Sequence, residues 1–295
     1  MKLATRRSLR QIQRSLEIRF RQILYRTSTN TPYLSGDSIS VLTDYVVGGF
    51  SGSKRISQEK VARAKSIFVR GEQLPTFLME YGDVITAKVL ITGNSDKNFE
   101  HLISIPESVK LWLCQNNAVG EDSRIKTLPI GLENLRLGRT GQTKYHNFNL
   151  EHRVRNSVLI PPMSPTNEIR RRVIQQTQDP RSEITVSNSL LDEKTYFGLV
   201  RKYQFILCCE GNGFDTHRLW ETLYQGSFPV VLRTKWSSTL EHLELPILYI
   251  DKLDEINQEV LEEFWNRHCQ FDPRTKECLW VPFWRILINE TINLD

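Results

Sequence analysis

The sequence predicts an α/β protein with parallel sheets in both halves of the chain, preceded by a basic amphipathic N-terminal helix. Short apolar runs alternate with amphipathic segments, which is the pattern of parallel strands joined by crossover helices. The clearest unit covers residues 203–231, where an apolar run, a glycine-rich turn, a helical pattern and a second apolar run follow one another. A chain of 295 residues is long enough for two such domains.

Most of the positive charge lies in the N-terminal segment. Residues 1–26 contain eight Lys or Arg and one Glu, a net charge of +7, whereas the whole chain carries +5, so the remaining residues carry −2. A nucleic-acid-binding groove would need positive charge on the folded domains themselves. We therefore expect no nucleic-acid partner.

The N-terminal segment is predicted to be helical over residues 1–25, with apolar residues at three- and four-residue spacing and arginines on the other side. The apolar residues are Leu9, Ile12, Leu16, Phe20, Ile23 and Leu24. Two interpretations stay open: residues 1–26 lie on an anionic membrane surface, or the helix packs on the protein with its arginines in water. A linker is predicted just before Pro32, so residues 1–31 form one N-terminal region.

No apolar run approaches the ~20 residues of a membrane span, and the N-terminus lacks the apolar stretch of a secretory signal. The five cysteines form no CxxC pair, and three of them lie in or beside apolar runs. This pattern predicts free thiols in a reducing compartment and no zinc site. We therefore expect a cytoplasmic protein, either free or attached to the membrane surface through residues 1–26.

In the first half, five apolar runs are predicted as strands, and each ends in polar residues. They cover residues 39–42, 66–69, 89–91, 111–114 and 125–128, with helices predicted over 58–64 and 74–81. Because the carboxyl ends of parallel strands meet at one edge of a sheet, we expect the polar residues after these strands to gather there.

The second half continues the alternation. Its predicted strands cover residues 157–160, 184–187, 205–209, 228–232 and 247–250. Its predicted helices cover residues 168–176, 196–202, 254–268 and 276–289, and residues 233–238 are predicted as a loop. The helix after residue 215 presents Leu219, Trp220 and Leu223 on one side and is expected to stop at Gly226.

The turn after the strand at 205–209 has the composition of an anion site. Gly211 and Gly213 lack a Cβ, so backbone N–H groups can face a ligand. Asp215 or Thr216 can cap the following helix, whose N-terminus attracts negative charge. A dinucleotide-binding motif is disfavoured, because the third glycine that it needs is replaced by Thr216.

Two charged residues extend this pattern along the helix. Arg218 offers a forked donor to a phosphate, and Glu221 lies one turn further, where a carboxylate can accept hydrogen bonds from a ribose. Together these features favour a sugar nucleotide as ligand. The alternative is purely structural: the glycines serve only the turn, and Arg218 pairs with Glu221 in water.

Residues 210–231 carry the string EGNGFDTHRLWETLYQGSFPVV, which resembles the donor-site segment of exostosin-type glycosyltransferases and, more distantly, that of fucosyltransferases. The first half contains VLITGNSDKNF, LWLCQN and KTLPIGLEN, which are similar to strings in the N-terminal half of exostosin-like proteins. In glycosyltransferases of the GT-B type, a Glu five residues before the Gly of a G-x-P-V-V strand entry contacts the donor ribose. Glu221 stands in that relation to Gly226.

The resemblance implies a GT-B-like fold, with two Rossmann-like domains facing across a cleft. Residues 32–152 would form the acceptor-side domain, and residues 153–295 the nucleotide-sugar-binding domain with a C-terminal helix that crosses back to the first. The implied reaction is transfer of a sugar, with inversion, from a nucleotide-sugar donor to a glycan or lipid-linked glycan acceptor. The nucleotide sugar is a substrate, so no cofactor is expected.

No metal is expected either, because the sequence contains no Asp-x-Asp pair to hold a divalent cation on the diphosphate. Helix amides and Arg218 would then stabilise the leaving diphosphate. The second predicted anion contact is the helix at 168–176, where Thr166 lies near the cap and Arg170 lies beside it. The full donor-binding set is Glu210, Gly211, Asn212, Gly213, Asp215, Arg218, Glu221, Arg170 and Thr166.

An inverting transfer also needs a base for the acceptor hydroxyl. Asp96 is the first candidate, followed by Glu72 and Asp44, because each follows a predicted strand of the first half. Asp96 also fits a turn or a helix cap. Residues 136–141 form a glycine-bearing loop that contacts a substrate or only joins the halves. Two other function classes stay open: a non-catalytic nucleotide- or glycan-binding protein, and a membrane-surface scaffold.

Overall fold

The computed structural model describes residues 13, 15–48, 55–119, 122–146, 154–161, 163–176, 184–186 and 191–294. They form an α/β protein with two five-stranded sheets, and every strand pair in both sheets is parallel. The predicted fold class, with a parallel sheet in each half of the chain, is confirmed at this level.

The first sheet follows the order of the sequence, β1-β2-β3-β4-β5. Its strands are β1 (Tyr45–Val46), β2 (Ser66–Arg70), β3 (Val89–Gly93), β4 (Leu111–Cys114) and β5 (Ile125–Thr127). The central strand β3 is buried along its whole length, and its side chains alternate between two cores. Val89 and Ile91 pack into one core and Leu90 into the other, so helices or loops cover both faces.

The second sheet has the order β10-β9-β8-β6-β7. Its strands are β6 (Val154–Ile160), β7 (Ile184–Val186), β8 (Tyr203–Leu207), β9 (Phe228–Leu232) and β10 (Leu248–Ile250). The order changes direction between β6 and β8, and in parallel α/β sheets ligands commonly bind beyond the strand ends near such a change. The glycine-rich turn follows β8 at this point.

Ten helices connect and cover the sheets in the described part of the chain, apart from short 3-10 turns. They are α1 (residues 15–24), α2 (Gly36–Ser40), α3 (Gln58–Arg63), α4 (Leu74–Tyr81), α5 (Glu168–Gln176), α6 (Glu193–Val200), α7 (His217–Tyr224), α8 (Lys235–Ser238), α9 (Gln258–His268) and α10 (Val281–Ile292). The strongly periodic α4 and α5 have the predicted bounds. Gly226 follows α7 in the left-handed conformation (φ 70°) that favours glycine at a helix end.

The predicted strand at residues 39–42 was wrong, because residues 36–40 form helix α2. Ser35 caps this helix: its Oγ accepts from the N–H of Ser38, and the Ser38 Oγ accepts from the N–H of Ser35. This reciprocal capping starts a helix where the apolar residues alone suggested a strand. The loop predicted at residues 233–238 likewise contains α8, which Thr234 caps in the same way.

The correction at α2 changes the position of Asp44. This residue precedes β1 instead of following a strand, so it lies away from the carboxyl edge of the sheet. Its carboxylate accepts hydrogen bonds from the N–H groups of Lys65 (2.9 Å) and Ser66 (3.0 Å) and from the Ser66 hydroxyl. The premise that placed Asp44 among the candidate bases was therefore wrong.

One core joins the two sheets. It contains Ile91 of β3 and Ile206 of β8, together with Trp220 of α7 and Trp284 of α10. Helix α10 contacts both α2 and β3, so the last helix of the chain packs on the first sheet. Separate cores lie on the outer faces, under α4 in the first half and under α9 in the second.

The helix predicted over residues 1–25 lies partly outside the described residues, which include residues 13 and 15–25 of it, and the observed helix ends at residue 24. Arg21 Nη1 donates to the carbonyl of Gly138 (3.4 Å) and Gln22 Nε2 to that of Leu137 (3.2 Å), so α1 contacts the body through polar side chains. Four of its large apolar side chains are exposed, between 59% and 77%: Leu16, Phe20, Ile23 and Leu24. Among the described residues, no helix is both long and apolar enough to cross a membrane.

All five cysteines are free thiols, and four of them are buried. Burial raises the pKa of the Cys114 thiol to about 12 and that of Cys209 to about 11. Neither thiol is ionised near neutral pH, so both serve as small apolar core residues.

Candidate functional site

A cavity of about 570 Å³ lies where the loops after the strands of the two sheets meet. Eight of the nine predicted donor-binding residues line it, namely Thr166, Arg170, Gly211, Asn212, Gly213, Asp215, Arg218 and Glu221. The ninth, Glu210, does not. The sequence therefore located a real concavity of the size that small-molecule sites have.

The glycine-rich turn after β8 is bonded to the start of α5. Asn167 Nδ2 donates to the carbonyls of Glu210 (3.1 Å) and Gly211 (2.7 Å), and Arg170 Nε donates to that of Glu210 (2.8 Å). The N–H of Gly211 donates to the carbonyl of Gly213 at 2.9 Å. The Gly211 amide is therefore used inside the turn and does not face a ligand, contrary to the expectation from the sequence.

Gly213 is required by a close approach to the first sheet. A Cβ at this position would lie 2.9 Å from Nδ2 of Asn116, which follows β4. The Asn116 side chain bridges the halves, because its Oδ1 accepts from the N–H of Asp215 (2.8 Å) while its Nδ2 donates to the carbonyl of Ser95 (3.0 Å). The turn can reach this amide only because residue 213 has no side chain.

The side chain of Asp215 serves the structure of the turn. Its carboxylate accepts from the N–H of Ile130 (2.7 Å), from the indole N–H of Trp220 (2.7 Å) and from the N–H of Thr216. Burial raises the pKa of this carboxyl to about 7 in spite of these donors. Asp215 therefore contributes to the wall of the cavity as a buried acceptor that joins the two halves.

Two guanidinium groups face the same cavity. Arg170 comes from α5 and Arg218 from the first turn of α7, so they approach from different elements. Burial lowers the pKa of Arg170, and the positive charge of Arg218 lowers it further. Two arginines that repel each other in a partly desolvated concavity form a site at which a bound anion would be stabilised.

Glu221 lies one turn beyond Arg218 and is almost fully buried at the cavity wall. Its Oε2 accepts from the hydroxyl of Tyr196 on α6 at 3.0 Å, and Tyr196 also interacts with Arg218. Burial raises the pKa of the Glu221 carboxyl, and His217, Tyr196 and Arg218 counteract this. A carboxylate offers about four acceptor positions, so Glu221 has capacity for a ligand hydroxyl.

A second cavity, of about 770 Å³, adjoins the first on the side of the first sheet. Asp96 lines both cavities, and Glu72 lines only the second. Asp96 is exposed and lies 3.4 Å from Asn212 Nδ2, whereas Glu72 pairs with Arg70 at 3.0 Å. The structure therefore brings two of the three candidate bases to this region and leaves Asp44 outside it.

A network of polar side chains supports the second cavity, and two of its members, Asp37 and Asn134, are buried. Only Arg136, in the loop 136–141 that was predicted to contact a substrate or join the halves, was considered from the sequence, and it lines this cavity. Asp37 is buried and accepts from Arg136 Nε (2.6 Å) and Asn94 Nδ2 (3.0 Å), while Asn134 Nδ2 donates to Asn94 Oδ1 (2.7 Å). These residues come from α2, from the turn after β3 and from the loop after β5. The network therefore fixes the loop that carries Asp96.

Glu210 faces away from the first cavity. Its Oε1 accepts from the hydroxyl of Thr234, the residue that caps α8, at 3.0 Å. Burial raises the pKa of Glu210, and the hydrogen bond from Thr234 lowers it. The position of Glu210 next to the glycines in the sequence therefore does not bring its side chain to the ligand side of the turn.

Three further residues of the site were not identified as site residues from the sequence. Tyr196 and His217 line the first cavity, and Asn116 bridges the halves beside it. His217 lies in the string EGNGFDTHRLWETL between Thr216, which occupies the N-cap position of α7, and Arg218. A histidine at a helix start next to a glycine turn is the sequence signal that points to it. Nothing in the sequence pairs Asn116 or Tyr196 with the turn.

Comparison of the chain with models of known protein families finds no match, and a search of curated proteins finds none either. The assignment of a function therefore depends on the geometry and electrostatics of the two adjoining cavities.

Proposed function

We propose that the protein is a glycosyltransferase of the GT-B type that transfers a sugar from a nucleotide-sugar donor to a glycan or lipid-linked glycan acceptor without a metal ion. The observation that carries this proposal is the pair Arg170 and Arg218, which face one cavity from two helices. A diphosphate placed between them would relieve their mutual repulsion and form charge-assisted hydrogen bonds with both.

The same cavity supports the other parts of a nucleotide sugar. Glu221 would accept hydrogen bonds from the ribose, and the exposed Thr166 would border the phosphate end beside Arg170. The adjoining second cavity, with its polar lining, would take the acceptor. Donor and acceptor would then meet near Asp96, Ile130 and His217, the three residues that both cavities share.

Residues 32–152 and 153–295 would act as the acceptor-side and donor-side domains. Several hydrogen bonds support a fixed relation between them: those of Asp215 to Ile130, of Asn116 to Asp215, and of the Phe214 N–H to Asn98 Oδ1 at 2.9 Å. Such contacts next to the cavity would hold the two domains in a fixed relative position, and with them the anomeric carbon and the acceptor hydroxyl.

The test is isothermal calorimetry with UDP-glucose, UDP-N-acetylglucosamine, UDP-glucuronate, GDP-mannose and GDP-fucose. For the nucleotide sugar that the wild type binds, Arg170→Ala and Arg218→Ala should each weaken affinity about 10- to 100-fold, the value of one charge-assisted hydrogen bond. Arg171→Ala is the matched control, because Arg171 is the next residue of α5, pairs with Glu168 at 3.0 Å and does not line the cavity.

Absence of binding to every donor of this panel would contradict the proposal, as would equal effects of Arg170→Ala and Arg171→Ala. Binding without release of nucleoside diphosphate, tested with free mono- and disaccharides as acceptors, would favour the alternative of a non-catalytic nucleotide-binding protein.

A membrane-surface role is the second candidate, and the exposed apolar side of α1 favours it. Four large apolar side chains point to solvent on a segment whose residues 1–26 carry a net charge of +7. An amphipathic helix of this kind would bind an anionic membrane by inserting its apolar side between the headgroups. The two roles are compatible, because a lipid-linked acceptor would lie at the same surface.

A further inference from the structure

His217 occupies the wall between the two cavities. It is the first residue of α7, and it is one of the three residues that line both concavities. The other two are Ile130, which has no group that can take a proton, and the exposed Asp96. A group at this boundary would contact the reacting ends of a donor in the first cavity and of an acceptor in the second.

The imidazole has a defined orientation. Its Nδ1 lies 2.8 Å from the carbonyl oxygen of Gly131, and a carbonyl oxygen only accepts hydrogen bonds. Nδ1 therefore carries the hydrogen, and in the neutral ring the lone pair that can accept a proton is on Nε2. This is the arrangement by which a backbone carbonyl selects the tautomer of a catalytic histidine.

The Gly131 carbonyl is itself fixed in place. Gly131 has φ +66°, and a Cβ there would lie 2.2 Å from the carbonyl oxygen of Leu34. The residue also pairs with Ser35 in an isolated antiparallel bridge, and the N–H of Leu132 donates to the carbonyl of Leu34 at 2.8 Å. The acceptor of the His217 hydrogen bond therefore belongs to a segment that backbone hydrogen bonds and close packing hold against residues 34 and 35.

Charged groups from several elements surround the imidazole. Glu133, in the loop after β5, and Glu221, on α7, interact with it. Other charged groups that line the cavities with it include Asp96, Arg136, Arg139, Asp215 and Arg218. Burial raises the pKa of Glu133, and His217 counteracts this, as it does for Glu221. The two carboxylates are thus close enough to stabilise an imidazolium when it forms.

We infer that His217 is the general base of the sugar transfer, an inference that depends on the proposed function. Nε2 takes the proton of the acceptor hydroxyl as the acceptor oxygen forms its bond to the anomeric carbon. The bond from the anomeric carbon to the diphosphate oxygen breaks at the same time, and the nucleoside diphosphate leaves with the electron pair. The imidazolium then returns its proton to water.

His217 replaces Asp96 as the first candidate for this step. The imidazole is half-buried, and the Gly131 carbonyl fixes its orientation, whereas Asp96 is exposed and its contact with Asn212 is 3.4 Å long. A general base works best when its orientation toward the proton is fixed, and the hydrogen bond to the Gly131 carbonyl fixes that of His217.

The experiment uses His217→Asn, because the Asn amide can donate to the Gly131 carbonyl in place of Nδ1 but has no basic nitrogen. Calorimetry measures binding of the nucleotide sugar that the wild type binds. A second assay measures release of the nucleoside diphosphate over a range of pH, with water and with free saccharides as acceptors. His217→Asn should bind the donor within about threefold of wild type, lose about 10²- to 10⁴-fold in turnover and lose the acidic limb of the pH–rate profile.

The comparison variants are Asp96→Asn, which should keep the acidic limb, and His101→Gln, an exposed histidine outside both cavities, which should behave as wild type.

If His217→Asn keeps the acidic limb and turns over within about threefold of wild type, His217 is not the base, although the proposed function stands. If the wild type binds a donor but never releases nucleoside diphosphate, no transfer exists and the inference is overturned. If no donor binds, the proposed function itself fails. Circular dichroism identifies a variant that loses turnover by unfolding, and His217→Gln then repeats the measurement.

Discussion

The carboxylate of Asp215 accepts a hydrogen bond from the backbone N–H of Ile130 at 2.7 Å, and this bond connects the turn after β8 with the loop after β5. The same carboxylate accepts from Trp220 and Thr216, so one buried group organises both the start of α7 and its contact with the first half. The geometry of the cavity thus depends on Asp215, whose carboxylate oxygens already accept hydrogen bonds from groups of the protein.

Asp215→Asn should lower the free energy of unfolding by about 2 to 4 kcal/mol, because the amide NH₂ turns one acceptor into a donor that faces buried N–H groups. Urea denaturation followed by tryptophan fluorescence measures the change. Asp83→Asn, at an exposed position, should change stability by less than about 0.5 kcal/mol. Equal effects of the two substitutions would contradict a structural role for Asp215.

Gly213→Ala should destabilise the protein by about 1 to 3 kcal/mol, because its Cβ would collide with the Asn116 amide that bonds both Asp215 and Ser95. Gly198→Ala is the matched control. Gly198 lies inside α6 with no atom within 4 Å of a new Cβ, so alanine should stabilise by up to about 1 kcal/mol. Thermal unfolding of both variants gives the comparison, and a stable Gly213→Ala protein would show that the contact with Asn116 is dispensable.

The stability that His146 contributes should be lost in acid. Burial, and secondarily Arg201, lowers the pKa of His146 to about 3, and its Nδ1 accepts from Gln225 Nε2 at 2.6 Å. Above pH about 6.5 the ring is neutral in both states; below it, only the unfolded chain takes up the proton, so stability is lost at about 1.4 kcal/mol per pH unit down to pH about 3.

Replacing this histidine by glutamine should therefore remove this pH-dependent loss of unfolding free energy. Between pH 6.5 and 4.5, the loss of unfolding free energy in His146→Gln should be about 2 to 3 kcal/mol smaller than in wild type, even if the variant is less stable at neutral pH. Chemical denaturation at several pH values measures this slope. Replacing the exposed His101 by glutamine should leave the slope of unfolding free energy against pH unchanged. The same change of slope in His101→Gln would show that the effect does not come from His146.

The double substitution Phe20→Ser with Ile23→Ser should leave thermal stability unchanged, because both side chains are exposed on α1, by 66% and 77%. Binding to vesicles of phosphatidylserine and phosphatidylcholine should fall at least about tenfold, since each large apolar side chain contributes about 1.5 to 3 kcal/mol on burial. Sedimentation of the full chain with vesicles measures binding. Met79→Ser, on α4 and 80% exposed, is the control. Wild-type binding that is absent, or insensitive to salt, would exclude this surface role.

The sequence predicted those elements whose local pattern and tertiary environment agree. Helix α4 and strand β4 have the predicted bounds, because period and length point to one structure. Helix α2 was missed because Ile39 and its apolar neighbours suggested a strand, while the Ser35–Ser38 capping bonds decided for a helix. A short apolar run is ambiguous in this way, and a cap is the local signal that resolves it.

The residues that line the first cavity were predicted together where they are close in sequence. The turn at Gly211–Gly213 and the residues one and two helical turns beyond it line one cavity, since a helix fixes their spacing. Asp37 and Asn116 could not be assigned, because their partners lie far away in the chain. For Glu210, adjacency in sequence was misleading. Its carbonyl accepts a hydrogen bond from Arg170 of α5, whereas its side chain accepts one from Thr234, which caps α8.

Helix α10 lies at the end of the chain, yet it packs on α2 and β3, and the N–H of Val281 donates to the carbonyl of Pro32 at 3.0 Å. During synthesis on a ribosome, the inner layer of the first half is therefore incomplete until α10 has been made. Truncation before Val281 would remove Trp284 and Ile288 from the core that they share with Leu34 and Ile39. We expect such a shortened chain to depend on chaperones or to aggregate, even though both sheets would retain all their strands.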